Sequence, residues 1–385
     1  MSKPPLEAPR PRAWVRFAVV LIATGLALAA VETALRVRNP LGFRQRGNTL
    51  VLPANKVYDI RADARSRSDQ LDARVVHSKN SLGFRGPEPP PDFPRWLTLV
   101  AVGGSTTECF YLSDGRSWPE RLAARLRPEL DRVWVNNAGL DGHSTFGHLL
   151  LSRQVIVRLR PRVTLYLVGL NDMFTDAPRD LDRVEENPLA EIANHSEVAA
   201  TLLNLYRWSR TQQFEALGAM PKPIALRDRP RAAMSEERAR QLWQEQGPRL
   251  AAFRDRLELL VKLDREHGIT PVLVTQPTLL GGVDLRTGID TRPIMVDVWE
   301  TVDGAFAWRL VERYNDVTRV VGRDLDVLTI DLARRLPKDS THFYDFFHFT
   351  NEGADRVAAI VHDELAPWLM DRYPDHVRAR GGQAR

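Results

Sequence analysis

The sequence predicts a three-layer α/β/α domain with a five-stranded, mostly parallel sheet, preceded by one N-terminal transmembrane helix. Three observations predict it. Short, mostly apolar runs alternate with longer segments of helical period, the pattern of strands covered by helices on both faces. Several of these runs end in glycine- or asparagine-rich loops, at the edge where open parallel sheets bind ligands. Near the N-terminus, Phe17–Val31 (FAVVLIATGLALAAV) carries no charge and no polar face.

Composition narrows the function. The 385 residues are 43% hydrophobic and 27% charged, which excludes a mostly disordered chain, a collagen-like fibre and a polytopic membrane protein. A single cysteine, Cys109, excludes an intramolecular disulfide framework and a CxxC metal site. No His/Asp/Glu set has metal-ligand spacing, so neither a metal nor an organic cofactor is expected. The net charge is +5, but the basic residues are mostly arginines alternating with acids, as in Arg179–Arg183 (RDLDR). No clustered basic stripe with interleaved aromatics appears, and nucleic acid is not an expected partner.

Residues 1–12 form a basic N-terminal tail. The apolar segment extends over Ala13–Leu35, roughly 35 Å of helix and enough for a bilayer core. Arg16 and Glu32 then fall near the two interfaces. Leu26-Ala27-Leu28-Ala29 offers a signal-peptide cleavage site, but the apolar pattern continues through Ala34 and Leu35, which favours an uncleaved anchor. Arg36, Arg38, Arg44 and Arg46 nearly balance the leading charge, so the positive-inside rule leaves the orientation open. Residues 36–92 read as a stalk or irregular packed segment, ending in the proline-rich linker Pro87–Pro94.

The α/β domain spans residues 93–372. Strands are expected at Trp96–Val102, Val133–Asn137, Val163–Val168, Pro271–Thr275 and Val327–Asp331. Helices are expected at Trp118–Arg127, Ser144–Leu159, Pro248–His267, Val298–Val321 and Asn351–Met370. Residues 173–247 hold polar helical pieces and no strand, and read as a cap inserted beside the site. Residues 373–385 form a C-terminal tail.

The loops at the strand ends suggest the chemistry. Strand one leads to Gly103-Gly104-Ser105-Thr106-Thr107, strand two to Gly139-Leu140-Asp141-Gly142, and strand three to Gly169-Leu170-Asn171-Asp172. The loop before the last helix carries Asp345-Phe346-Phe347-His348. A serine hydroxyl needs an adjacent base to become a nucleophile, and Ser105 with His348 supplies that pair. Asp345 can reach the same imidazole, hold its tautomer and stabilise the imidazolium. The N–H groups of Ser105 and Gly142 and the amide of Asn171 supply oxyanion donors. Each fragment alone is an ordinary turn or strand exit, and a second DxxH occurs at Asp339–His342. The order and spacing of the four together carry the signal. His143 and His148 read as helix-start residues and Cys109 as a small core residue.

Over residues 96–372 the chain resembles the SGNH, or GDSL-type, hydrolase superfamily, with its four blocks at GGST, GLDG, GLND and DFFHFTNEG. The resemblance implies a flavodoxin-like fold, Ser105 as nucleophile, Gly142 and Asn171 as oxyanion donors, and Asp345 and His348 completing the triad. It selects His348 over His342, because only His348 is followed by the Phe-Thr-Asn-Glu-Gly segment that enters the last helix. It selects Gly142 over Gly139 by spacing from Asn137. One departure stands out: the family's first block usually reads Gly-Asp-Ser, and here Gly104 replaces the aspartate. Asn80–Gly86 (NSLGFRG) resembles a segment preceding the domain in bacterial members that carry a single leading helix.

The expected function is a serine esterase that hydrolyses an acyl ester, most simply an acetyl, through an acyl-enzyme. The expected substrate is a small-molecule or polysaccharide ester on the cell surface. The expected location is the bacterial inner membrane, single-pass, with the catalytic domain extracytoplasmic. An O-acyltransferase using the same triad, and a non-catalytic glycan-binding protein on this fold, are the alternatives.

Overall fold

The structure, a computed structural model, describes residues 13–37, 45–62, 70–178, 188–211, 220–221, 224–297 and 300–378. The N-terminal tail 1–12 and residues 379–385 of the C-terminal tail lie outside the described residues. The described residues fall into two compact units, one built from residues up to 51 with 188–211, and the other from the remainder.

In the first unit, helix α1 covers Ala13–Val37. It is long and apolar enough to cross a membrane, a test that a signal sequence also passes. Glu32 near its end accepts the N–H groups of Glu197 and Val198 at 2.8 and 3.0 Å. That carboxylate caps the helix Glu197–Thr211, which follows the helix Pro188–His195. Within the stretch 173–247, expected as a cap, residues 188–211 therefore fold with α1 rather than with the sheet.

The second unit carries a five-stranded sheet of β1 (Leu97–Gly103), β2 (Val133–Asn137), β3 (Val163–Leu167), β4 (Thr270–Val274) and β5 (Thr329–Ile330), in the order β5-β4-β3-β1-β2. All four pairings are parallel, so the expected mostly parallel sheet is wholly so. Every residue of β1, β2 and β3 is buried, as strands covered on both faces require. The strand order reverses beside β1, and the carboxyl ends of β1 and β3 there form the switch-point crevice of a doubly wound sheet.

The helices match the periodicity with instructive differences. Helix α2 (Trp118–Leu126) starts with Ser117 and Glu120 in a reciprocal capping box, which contributes about 1 kcal/mol. The expected helix over 144–159 is α3 (Thr145–Leu151) followed by a π-helical stretch Ser152–Ile156, for which no residue pattern gives warning. Helix α4 runs Glu236–Glu266 and passes through Pro248, which was expected to begin it. Ser235, whose hydroxyl accepts from the N–H of Arg238, is the true N-cap. Helix α5 (Gly304–Asp324) begins at the cap Asp303 rather than near 298, because Met295–Asp297 and Thr301–Asp303 pair as a short hairpin first. Helix α6 (Asn351–Arg372) is capped by Thr350 and packs against α2.

Among the described residues of 36–92, two antiparallel strand pairs form where a stalk or irregular segment is expected. Val57–Arg61 and Arg74–Ser78 form an antiparallel hairpin, and Asn80–Gly86 comes directly after it.

Candidate active site

The sheet delivers Ser105 to the crevice. Strand β1 ends at Gly103, and one helical turn, Ser105–Glu108, begins two residues later. Ser105 Oγ lies 2.7 Å from Nε2 of His348, a residue 243 positions away. Nδ1 of His348 lies 2.7 Å from Oδ2 of Asp345. The other carboxylate oxygen, Oδ1, accepts the backbone N–H groups of Phe347 and His348, both at 2.8 Å. One side chain thus shapes the loop and orients the ring. With Nδ1 donating to a carboxylate, Nε2 is left as the acceptor that faces the serine hydroxyl. Burial pushes the Asp345 carboxyl up, but the charge and hydrogen bonds of His348 outweigh it and hold the group below the usual carboxylate range. Tyr344 stacks on His348, with centroids 5.6 Å apart and planes inclined by 10°.

The expected donors lie in the loops that follow β1, β2 and β3. Ser105 opens its helical turn, where backbone N–H groups have no intrahelical partner. Gly142 sits at φ +75°, a conformation that disfavours any other residue, in a turn closed by the His143 N–H on the Leu140 carbonyl at 3.1 Å. Asn171 lies just past β3 and donates from Nδ2 to the carbonyl of His143 at 3.0 Å. The same Nδ2 lies 2.6 Å from where a Cβ on residue 104 would stand. Gly104 therefore lets the amide close on the serine turn, a physical reason for glycine where the family usually has aspartate. The structure brings Ser105, His348, Asp345 and Asn171 together, with Gly142 one residue from the His143 carbonyl that Asn171 holds. A recess of about 10 Å³ behind the serine is lined by Ser105, His143, His148, Asn171 and Gln276 among others.

Sequence reading missed several supports of this site. Thr106 donates to Oε1 of Gln276, just past β4, at 3.0 Å. Asp172 accepts from Thr145 at the start of α3 and pairs with Arg256 at 3.2 Å. No local pattern marks these contacts, which span 27 to 170 residues. Other residues behave as expected. The Cys109 thiol is buried, which pushes it up to about 12, far from a reactive thiolate. Burial lowers His148 to about 4, and His143 is likewise buried. The carbonyl of His342 accepts from the N–H of Thr350, the residue that caps the last helix.

A model of the GDSL-like Lipase/Acylhydrolase family matches residues 101–356. The chain belongs to this family. Like the family, it is a hydrolase of ester bonds, built on an SGNH-type α/β fold. Three solved structures are similar to the chain at low identity. Axe2, an acetylxylan esterase from Geobacillus stearothermophilus, is 11% identical over 70% of this chain and 93% of its own, with a TM-score of 0.40. TesA is 15% identical over 70% of this chain and 98% of its own, with a TM-score of 0.41. The acetyl xylan esterase AlAXEase is 11% identical over 69% of this chain and 98% of its own, with a TM-score of 0.38. No curated protein matches the chain.

Proposed function

We propose that this GDSL-family hydrolase is a serine esterase that works through an acyl-enzyme, with Ser105 as nucleophile, His348 as general base and Asp345 as its orienting carboxylate. The observation that carries the reading is the unbroken relay from Asp345 Oδ2 through His348 to Ser105 Oγ, both contacts at 2.7 Å. Ser105 Oγ attacks the ester carbonyl carbon while its proton passes to His348 Nε2. The carbonyl oxygen gains the negative charge and is met by the N–H groups of Ser105 and Gly142 and by the Asn171 amide. Collapse breaks the bond to the alcohol oxygen, which leaves with the proton from His348. Water then repeats the sequence on the acyl-enzyme, releasing the carboxylic acid and restoring the serine hydroxyl.

The acyl group is short, most simply acetyl. The recess lined by Ser105 and Asn171 is small, about 10 Å³, room for little more than one water-sized group, which supports the short-acyl reading. The alcohol is carbohydrate. Tyr111, partly exposed, packs edge-on against Tyr344, which stacks on His348, and gives the site an aromatic flank on which a sugar ring can lie. With α1 as an anchor, the substrate is an extracytoplasmic glycan at the inner membrane of a bacterium.

Full-length protein in detergent should hydrolyse para-nitrophenyl acetate and release acetate from an acetylated oligosaccharide. Para-nitrophenyl octanoate should be a much poorer substrate. A fluorophosphonate probe should label wild type and not S105A. Equal turnover by S105A and wild type would overturn the serine mechanism, and preference for octanoate would overturn the short-acyl reading.

A further inference from the structure

Glu108 closes the helical turn that Ser105 opens, and its side chain is 3% exposed. Oε1 accepts from the ammonium of Lys79 at 2.8 Å, and the Lys79 side chain is 1% exposed. Oε2 accepts from the backbone N–H of Asp141 at 2.5 Å. Asp141 immediately precedes Gly142. One carboxylate thus joins the turn bearing the nucleophile to the loop bearing an oxyanion donor.

A buried ion pair contributes little to stability relative to a well-packed apolar pair, because desolvation offsets the attraction. Holding the two loops together does not require it either. Asn137 already ties them, donating to the Thr107 carbonyl at 2.6 Å and accepting from the Gly139 N–H at 2.9 Å. What Glu108 adds is a short, charge-assisted bond to the N–H of the Leu140–Asp141 peptide, which fixes the peptide immediately before the one that carries the Gly142 N–H.

We propose that Glu108 is a positioning residue for the oxyanion site: it aims the Gly142 N–H at the charge that forms beside Ser105, and Lys79 supplies the counter-charge that lets a buried carboxylate do so. The inference rests on the reading of Ser105 as nucleophile and Gly142 as donor. Neither Glu108 nor Lys79 touches the reacting atoms. Lys79 also gives the segment before the domain a part in the chemistry, since it comes directly after the hairpin strand Arg74–Ser78.

Two double variants isolate the acceptor. K79M/E108Q and K79M/E108M both remove the buried charges and have similar volumes, but only the first keeps an oxygen for the Asp141 N–H. Each is made in the full chain, with kcat and KM measured on para-nitrophenyl acetate and folding followed by thermal melts. K79M/E108Q should keep a kcat at least about 30-fold above that of K79M/E108M, with KM within about threefold, a deficit approaching the loss of one oxyanion donor. A purely structural role would move the melts and leave this kcat split absent. Equal kcat in the two variants overturns the proposal, as does loss of turnover in both. S105A separates the two readings: if it is inactive and the double variants turn over equally, only the positioning role fails, whereas an active S105A removes the serine mechanism itself.

Discussion

Arg85 donates from Nη1 to the carbonyl of Cys109 at 2.6 Å, at the end of the turn that carries Ser105. The same guanidinium, wholly buried, reaches the carbonyls of Glu108, Leu112 and Ser113 at 2.9–3.0 Å. Its planar fork of donors satisfies four carbonyls from one point, which a lysine ammonium cannot do. Asn80–Gly86 is thus part of the frame behind the nucleophile. R85K should lower unfolding stability by about 2–4 kcal/mol, because at least one or two buried carbonyls lose their partners. Denaturant unfolding of the two proteins measures it, and an unchanged midpoint would refute the assigned role.

The relay from Asp345 makes a graded prediction. D345N keeps the shape of the side chain but presents an amide to Nδ1, which favours the wrong imidazole tautomer. Its kcat should fall by roughly 10³- to 10⁴-fold with little change in KM. Steady-state kinetics on para-nitrophenyl acetate decide it, with S105A as the floor, and a loss under tenfold would remove Asp345 from the relay.

Gly104 is predicted to be intolerant of a side chain. A Cβ there would stand 2.6 Å from Asn171 Nδ2, well inside contact distance, so the amide must retreat. G104A should therefore lower kcat by about 10- to 100-fold, toward the effect of N171A, because both weaken the same donor. The double variant G104A/N171A should be little worse than N171A alone, and additive losses would show that the two act independently.

Stability should carry a pH signature from beneath the sheet. Asp264 is buried on α4 and accepts from the hydroxyls of Thr164 and Tyr166 on β3. Burial raises it from 3.8 to about 6. A carboxyl whose folded value is raised favours the folded state while protonated, and that advantage disappears as pH rises through the folded value. The window runs from about pH 4 to above 6 and is worth roughly 3 kcal/mol. D264N does not ionise, so its melting temperature relative to wild type should rise between pH 4 and pH 7. A difference constant across that range would contradict a buried, ionising Asp264.

Legibility tracked the distance over which each interaction acts. The five strands were readable because burial on both faces leaves continuous apolar runs such as Leu97–Val102 and Val163–Leu167. Asp345 and His348 were readable as partners because three residues within one loop bring them together whatever the rest of the chain does. Family blocks named Ser105 and Asn171 through their place after a strand. The hairpin Val57–Arg61 with Arg74–Ser78 was not readable, since its short strands mix apolar and charged residues without a continuous run. Asp303 was overlooked as a helix cap because the strand before it is only three residues long.

The amino-acid order by itself determined the kinds of element, the apolar leader and the set of reactive side chains, because these depend on local periodicity and residue chemistry. Only the tertiary structure decided the strand order β5-β4-β3-β1-β2, the approach of Ser105 to His348 across 243 residues, and the burial of Lys79 against Glu108. Charged residues read one at a time look solvated. Their pairing depends on which loops the sheet brings to one edge, and that is set by packing among distant parts of the chain.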